Sequence, residues 1–290
     1  MARLKKLEVG ALNVKTHPHS PETYIRLFRD AYRAGIVANI RGDDLGMIGT
    51  LSEKKQDDRQ ILTGYLYKFM NIDPEEPWLN LKTRKPIATD EGEPIPQVPD
   101  HLKPNLRDVR YLFDSKHHRF FFESSRLTPG NARRLLAGIF ADRQIVKTYG
   151  PVDVELETSQ EVLTRILAIP TLTRLEIMVS RANQDDISGQ TERVMERLER
   201  QGVRRLEENL TSAKGESIRP DDETKGLMMA ATSNGRITAI GYDQQEQKMV
   251  ESTEKHPVAE QVFYNPGIED PIRVFMEAAS KLMRKILGRK

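Results

Sequence analysis

Four Asp-Asp pairs, two histidine clusters and several groups of arginine and lysine are the residues of this chain whose types and spacing bear on chemistry. The pairs are Asp43-Asp44, Asp57-Asp58, Asp185-Asp186 and Asp221-Asp222. Gly42-Asp43-Asp44 sits where a hairpin turn is expected. Two carboxylates there suit a pair of magnesium ions in phosphoryl chemistry, given a further acid on a nearby strand and lysines facing the phosphate. The same three residues are also ordinary turn formers. His17-Pro18-His19 and His117-His118 lack a third ligand at zinc spacing, and no metal or other cofactor is assigned. A histidine pair beside Lys116 or Arg119 has the parts for acid–base cleavage of RNA, but the preferred reading is an exposed basic hairpin tip. The chain holds no GxxxxGK[ST], HExxH or GxSxG, so no catalytic residue is named and the reading leans away from an enzyme.

Basic clustering says more. Lys116, His117, His118, Arg119, Arg126, Arg133 and Arg134 fall on elements that sequence signals place side by side, with no acid expected among them. Such arrays bind phosphate backbones through counterion release and charge-assisted hydrogen bonds. Arg193, Arg197, Arg200 and Arg204 share one face of an expected helix, where interleaved glutamates offer salt-bridge partners instead. Lys281, Arg284, Lys285, Arg289 and Lys290 crowd the C-terminal end, where cations also complement a helix dipole.

The elements that must position these groups centre on residues 109–140. Val109, Tyr111 and Phe113 alternate with polar or aliphatic neighbours, and Phe120, Phe121 and Phe122 form a short apolar run, a two-strand signal. Ser115 to Arg119 reads as a polar, exposed hairpin tip. Thr128-Pro129 opens a helix whose buried stripe is Leu135, Leu136 and Ile139. Before this core, the expectation is a strand at Leu7–Val14, a helix from Pro21 capped by Ser20, a hairpin about residues 41–44 and a strand at Ile61–Met70. Seven prolines then punctuate Asp73 to Pro104, a long loop with the marks of a domain boundary, pinned by Trp78. After the core come strands at Val152–Glu157 and Arg174–Arg181, a helix from Ser159 to Ala168, and a long helix from Asp185 to Ala213. A hairpin is expected from Gly226–Ser233, turning at Asn234-Gly235 into Arg236–Tyr242, with Met249–Glu254 as a third strand. Asp270-Pro271 starts the closing helix.

This order implies an α+β fold, with mixed or antiparallel sheets, helices on one face and two lobes: residues 1–104, ending in the proline-rich segment, and residues 105–290. At 290 residues with 38 % apolar and 30 % charged residues, the chain is long and apolar enough for sizeable cores. Its net charge of +2 supplies no global field toward DNA or membrane, so any nucleic-acid site must be local. Absence of cysteine excludes disulfides and thiolate catalysis and fits a reducing cytoplasm. No apolar run reaches the roughly 18 residues of a membrane span, and a cytoplasmic location is the expectation.

Several stretches together resemble the RexA-like proteins of phage-exclusion systems and related bacterial phage-defence proteins. They are GYLYKFMNID at residues 64–73, YLFDSKHHRFFF at 111–122, RLEIMVSRAN at 174–183, GLMMAATSNGRITAIGYD at 226–243 and the closing helix. The resemblance covers roughly residues 64–285, and the proline-rich segment departs from it. It implies a homodimeric, DNA-binding intracellular sensor that acts with a separate membrane effector. The functional expectation is accordingly a non-enzymatic, phosphate-directed nucleic-acid binder. A metal-dependent nuclease or nucleotide enzyme on Asp43 and Asp44, and a protein-interaction subunit of a defence complex, remain the alternatives.

Overall fold

Three phenylalanines in succession, Phe120 to Phe122, are all buried because helices cover both sides of the strand they form. The computed structural model describes residues 4–17, 20–56, 59–73, 76–87, 99, 101–181 and 191–288. The N-terminal elements are β1 (Lys5–Lys15), α1 (Pro21–Arg33), β2 (Ala38–Arg41), β3 (Asp44–Ile48), β4 (Ser52–Gln56) and β5 (Arg59–Met70). A short ribbon, β6 (Trp78–Asn80) and β7 (Lys85–Ile87), precedes β8 (Arg107–Asp114) and β9 (Arg119–Glu123). Then follow α2 (Pro129–Phe140), α3 (Arg143–Tyr149), β10 (Asp153–Leu156), α4 (Glu161–Leu167), β11 (Thr171–Ser180) and α5 (Glu192–Arg200). The chain closes with β12 (Arg205–Thr211), α6 (Asp222–Asn234), β13 (Gly235–Tyr242), β14 (Lys248–Ser252), β15 (Ala259–Tyr264) and α7 (Pro271–Leu287).

The fold is α+β, and its strand pairings among the described residues are antiparallel. A nine-stranded sheet runs β10-β1-β9-β8-β5-β3-β2, with β15 also on β1 and β4 on β5. Strands from both sides of residue 104 share it. A four-stranded sheet, β12-β11-β13-β14, carries its own core with α5 and α6.

Alternation along β8 and β9 explains the two covered faces of the large sheet. Tyr111, Phe113, Phe120 and Phe122 face α1 and α2, where Phe28 stacks on Phe113 with centroids 4.4 Å apart and meets Phe140 edge-on at 5.2 Å. Leu112 and Phe121 face α7, joining Phe275, Leu282 and Ile286. The expectation of helices on one face is thus corrected: the apolar run in β9 needs cover on both. Helix starts follow the sequence signals. Ser20 Oγ accepts from Thr23 N–H at 3.1 Å, and Asp270 Oδ1 accepts from Ile272 N–H at 3.0 Å, each with proline at the first helical position.

Two other expectations fail. The long helix of residues 185–213 is only α5, because Gly202 at φ 65° ends it and residues 205–211 pair as β12 along β11. Its expected start at Asp185 lies outside the described residues. The segment from Gly226 is helical, not the first strand of a hairpin. Asp221 caps it on Thr224 N–H at 2.8 Å, and its Leu, Met and Ala residues favour helix. Asn234-Gly235 is therefore no hairpin turn. A Cβ at Gly235 would stand 1.8 Å from the Met178 carbonyl oxygen, so glycine serves the close approach of β13 to β11.

Candidate nucleic-acid interface

The turn between β8 and β9 holds the expected basic tip, and most of its cations are not exposed. Asp114 is fully buried; its Oδ1 accepts from the Lys116 and His117 amides at 2.9 and 3.3 Å, and its Oδ2 lies 2.8 Å from His117 Nδ1. Burial pushes the Asp114 carboxyl up, but the hydrogen bond and charge of His117 with the two amides outweigh it, leaving the group below its ordinary value. His118 is wholly buried at φ 45°, stacked on Tyr24, with Nδ1 2.9 Å from Asn13 Oδ1. Arg119, 2 % exposed, sets Nε 2.6 Å from Glu157 Oε1 and donates from Nη1 to the His117 carbonyl at 2.9 Å.

The expectation of an exposed cation cluster free of acids is corrected for these residues. A polar tip can be buried when acids from other elements meet it. Arg126 pairs with Glu123 and Asp108, each at 3.0 Å, and Arg133 with Glu254 at 2.7 Å. Only Lys116 and Arg134 of the seven stand exposed with no ion pair among the described residues.

Arg119 and Glu157 belong to a larger ionic seam where the end of β1, β10 and the C-terminus of α6 meet. Along β1, Leu12 and Val14 enter the apolar core while Asn13 and Lys15 point the other way, opposite Glu155 and Asp153 of β10. Lys15 is fully buried and donates to Ser180 Oγ at 2.7 Å and Asn234 Oδ1 at 3.3 Å. Asn13 Nδ2 donates to the Ser233 carbonyl at 3.0 Å, and Thr158 Oγ1 to the Thr232 carbonyl at 2.7 Å. Asn13 of β1 and Thr158, just past β10, thereby satisfy the last carbonyls of α6, and the Lys15 ammonium complements the negative end of that helix. Asp153 is held by Arg204 at 2.7 and 3.2 Å. Glu155, 4 % exposed, has Arg133 3.9 Å away; burial pushes its carboxyl up despite the nearby charges of Lys15 and Arg133. His17, at the mouth of this seam, is pushed down by burial and by the Arg181 charge.

The seam is the feature that sequence reasoning misses. Its only signal is the alternation of Asp153, Glu155 and Glu157 with Val154 and Leu156, which equally describes a strand with one wet face. Asp44 Oδ2 pairs with Lys68 at 2.7 Å, and Asp43 is exposed in the β2–β3 turn, where Gly42 takes φ 53°. Among the described residues no group of three His, Asp or Glu converges on a metal position. His19, Asp57, Asp58, Asp185, Asp186, Arg289 and Lys290 lie outside those residues. Arg193 and Arg197 line a cavity of about 710 Å³ between α5 and α6, where Arg197 pairs with Glu223 at 2.6 Å.

Exposed cations do gather elsewhere. The Ser115 amide and hydroxyl both donate to the Gln60 carbonyl, at 3.3 and 2.7 Å, tying the tip to the start of β5. Gln60 pairs with Lys55 across the β4–β5 hairpin. Arg59 lies 3.9 Å from Asp114 and donates to Met283 Sδ at 3.7 Å, which brings in the last turns of α7. Lys54, Lys55, Lys116, Arg284 and Lys285 are all exposed around this junction. Lys55, Gln60, Ser115 and Lys116 line a recess of about 380 Å³ with the first turn of α1, Pro21 and Glu22. Burial settled which cations these are: the apolar face of α7 and the hairpin register decide it, not proximity in sequence.

Fold and site define an α+β protein of two large antiparallel sheets joined by a buried ionic seam, with a basic corner at one end of the larger sheet. The chain belongs to the family described as Domain of unknown function (DUF4747), which matches residues 5–280. No curated protein matches it. Among the described residues no helix is long and apolar enough to cross a membrane.

Proposed function

We propose that this protein is a non-catalytic nucleic-acid binder that holds phosphate backbones on the basic corner formed by Lys54, Lys55, Lys116, Arg284 and Lys285. The observation that carries the reading is their convergence: three separate elements bring exposed cations to the Arg59 junction, and no ion pair occupies them among the described residues. Exposed, unpaired cations release counterions on meeting phosphate, whereas the buried arginines of the seam have already spent their charge on carboxylates. The corner keeps Lys116 of the expected tip and replaces its buried neighbours with α7 and the β4–β5 hairpin. In this reading the protein is a cytoplasmic sensor in bacterial phage defence, a homodimer working with a separate effector, as its resemblance to the RexA-like proteins implies.

The test is a titration of nucleic acid across salt concentrations. Each phosphate contact contributes about 0.9 to the log–log salt slope on duplex DNA. The triple change Lys55→Glu, Lys116→Glu and Arg284→Glu is expected to flatten that slope by two to three contacts' worth, roughly 2 to 3, and to weaken binding alike for all sequences. An unchanged affinity and slope would remove the corner from consideration. A monomer mass by light scattering at micromolar concentration would remove the dimer.

A further inference from the structure

The β6–β7 ribbon belongs to neither large sheet. The chain leaves β5 at Met70 and returns to β8 at Arg107, and the two ends are pinned where the Pro104 carbonyl accepts from Met70 N–H at 3.0 Å and Lys103 reaches Asn71 Oδ1 at 2.8 Å. Between them the ribbon pairs Trp78 with Ile87, Leu79 with Pro86 and Asn80 with Lys85. Its tip is a built turn: Asn80 Oδ1 accepts from the Lys82 and Thr83 amides at 2.9 and 3.2 Å, and the Asn80 carbonyl from Arg84 N–H at 2.7 Å. Residues 78–87 carry the cations Lys82, Arg84 and Lys85 and no acid. All three are exposed, and none has an ion pair among the described residues. One face of the ribbon is apolar and open as well, with Leu79 61 % and Leu81 83 % exposed beside Pro86.

An isolated two-stranded hairpin is marginal in water, and an apolar face left in solvent marks a contact surface. The charge beside it selects the partner. Lysine and arginine flanking a leucine–proline wedge is the chemistry of minor-groove binding, in which cations take the phosphates while an apolar side chain slips into a base step and bends the duplex. We propose that the β6–β7 ribbon enters the minor groove of duplex DNA, with Lys82, Arg84 and Lys85 on phosphates and Leu79 and Pro86 against the bases. This rests on the nucleic-acid reading above and assigns its partner. The scale of the fold is compatible: β5 is 12 residues long, about 36 Å at roughly 3.3 Å per residue, so the corner at its start and the Met70 end from which the ribbon's segment departs are about one helical turn of DNA apart.

The experiment uses the full chain and a duplex of about 25 base pairs labelled at both ends, read by anisotropy for affinity and by energy transfer for bending. Wild type is expected to bind and to shorten the end-to-end distance. Lys82→Glu with Lys85→Glu is expected to weaken binding about tenfold or more at 0.1 M salt. Leu79→Ser is expected to lose the bend with a smaller change in affinity, and the corner variants to keep the bend in the complex they still form. Thermal melts should not move for the ribbon variants, since the ribbon lies outside all three apolar clusters. Ribbon variants that bind and bend as wild type does, while corner variants weaken, overturn the groove assignment and leave the function reading standing. Equal affinity for duplex RNA and unbent DNA also overturn it, because the A-form minor groove is wide and shallow. No nucleic-acid binding by wild type ends both readings at once.

Discussion

The seam and the corner use the same residue types to opposite ends. In the seam Lys15 and Arg119 are buried against Ser180, Asn234 and Glu157, so each charge has a partner and none is left for a ligand. In the corner Lys55, Lys116, Arg284 and Lys285 stay in water, where they add little stability but keep their charge available. The lesson is that basic clustering in a sequence does not distinguish a binding surface from a structural joint. Burial and the supply of carboxylates from distant elements do. Lys116 and Arg119 are three residues apart and fall on opposite sides of that division.

The largest expected effect tests the seam. Glu157→Ala leaves the buried Arg119 uncompensated, and loss of one partner of a buried pair costs about 3–5 kcal/mol in denaturant unfolding. The double change Arg119→Met and Glu157→Leu should recover most of that loss. A Glu157→Ala protein of unchanged midpoint would show that the pair is not buried in solution. Next comes the close approach between the strands of the smaller sheet. Gly235→Ala forces a Cβ against the Met178 carbonyl, and overpacking of this kind costs about 1–3 kcal/mol or more. If Asn-Gly were instead a hairpin turn, Asn234→Gly would be the tolerated change and would leave stability unmoved; in the fold described it removes the Asn234 Oδ1 that accepts from Lys15 and Asn13.

A smaller effect follows from Glu155. Burial raises its folded pKa above the ordinary glutamate value of 4.5, so the fold holds the proton more tightly than the unfolded chain does. Its contribution is greatest below the unfolded pKa and is lost as pH rises through the folded one. Glu155→Gln should remove that decline, giving a variant at least as stable as wild type at neutral pH. Urea unfolding at a series of pH values checks it; a Gln variant that keeps the wild-type pH slope from 4.5 upward assigns the slope to another group. The smallest effect is in the corner: Lys55→Glu and Lys116→Glu should leave the unfolding midpoint within about 0.5 kcal/mol, as for exposed substitutions generally. A large loss there would make the corner a joint like the seam and blur the contrast.

Sequence alone determined the local parts. The serine–proline and aspartate–proline starts of α1 and α7, the alternating strands β1, β5 and β8, and the α+β class follow from capping, proline geometry and period-two alternation, which act over a few residues. The sequence of 221–234 already contained a helix cap in Asp221, and the Asn-Gly signal hid it because glycine permits both a turn and a close strand approach. What the tertiary structure decided is which charges are spent. Asn13 meets Ser233 and Asn234, Lys15 meets Ser180, and Arg119 meets Glu157, contacts across 38 to 221 residues of chain that no local pattern encodes. Charge interactions depend on distance and on exclusion of water. Both are set only when the two sheets close on each other.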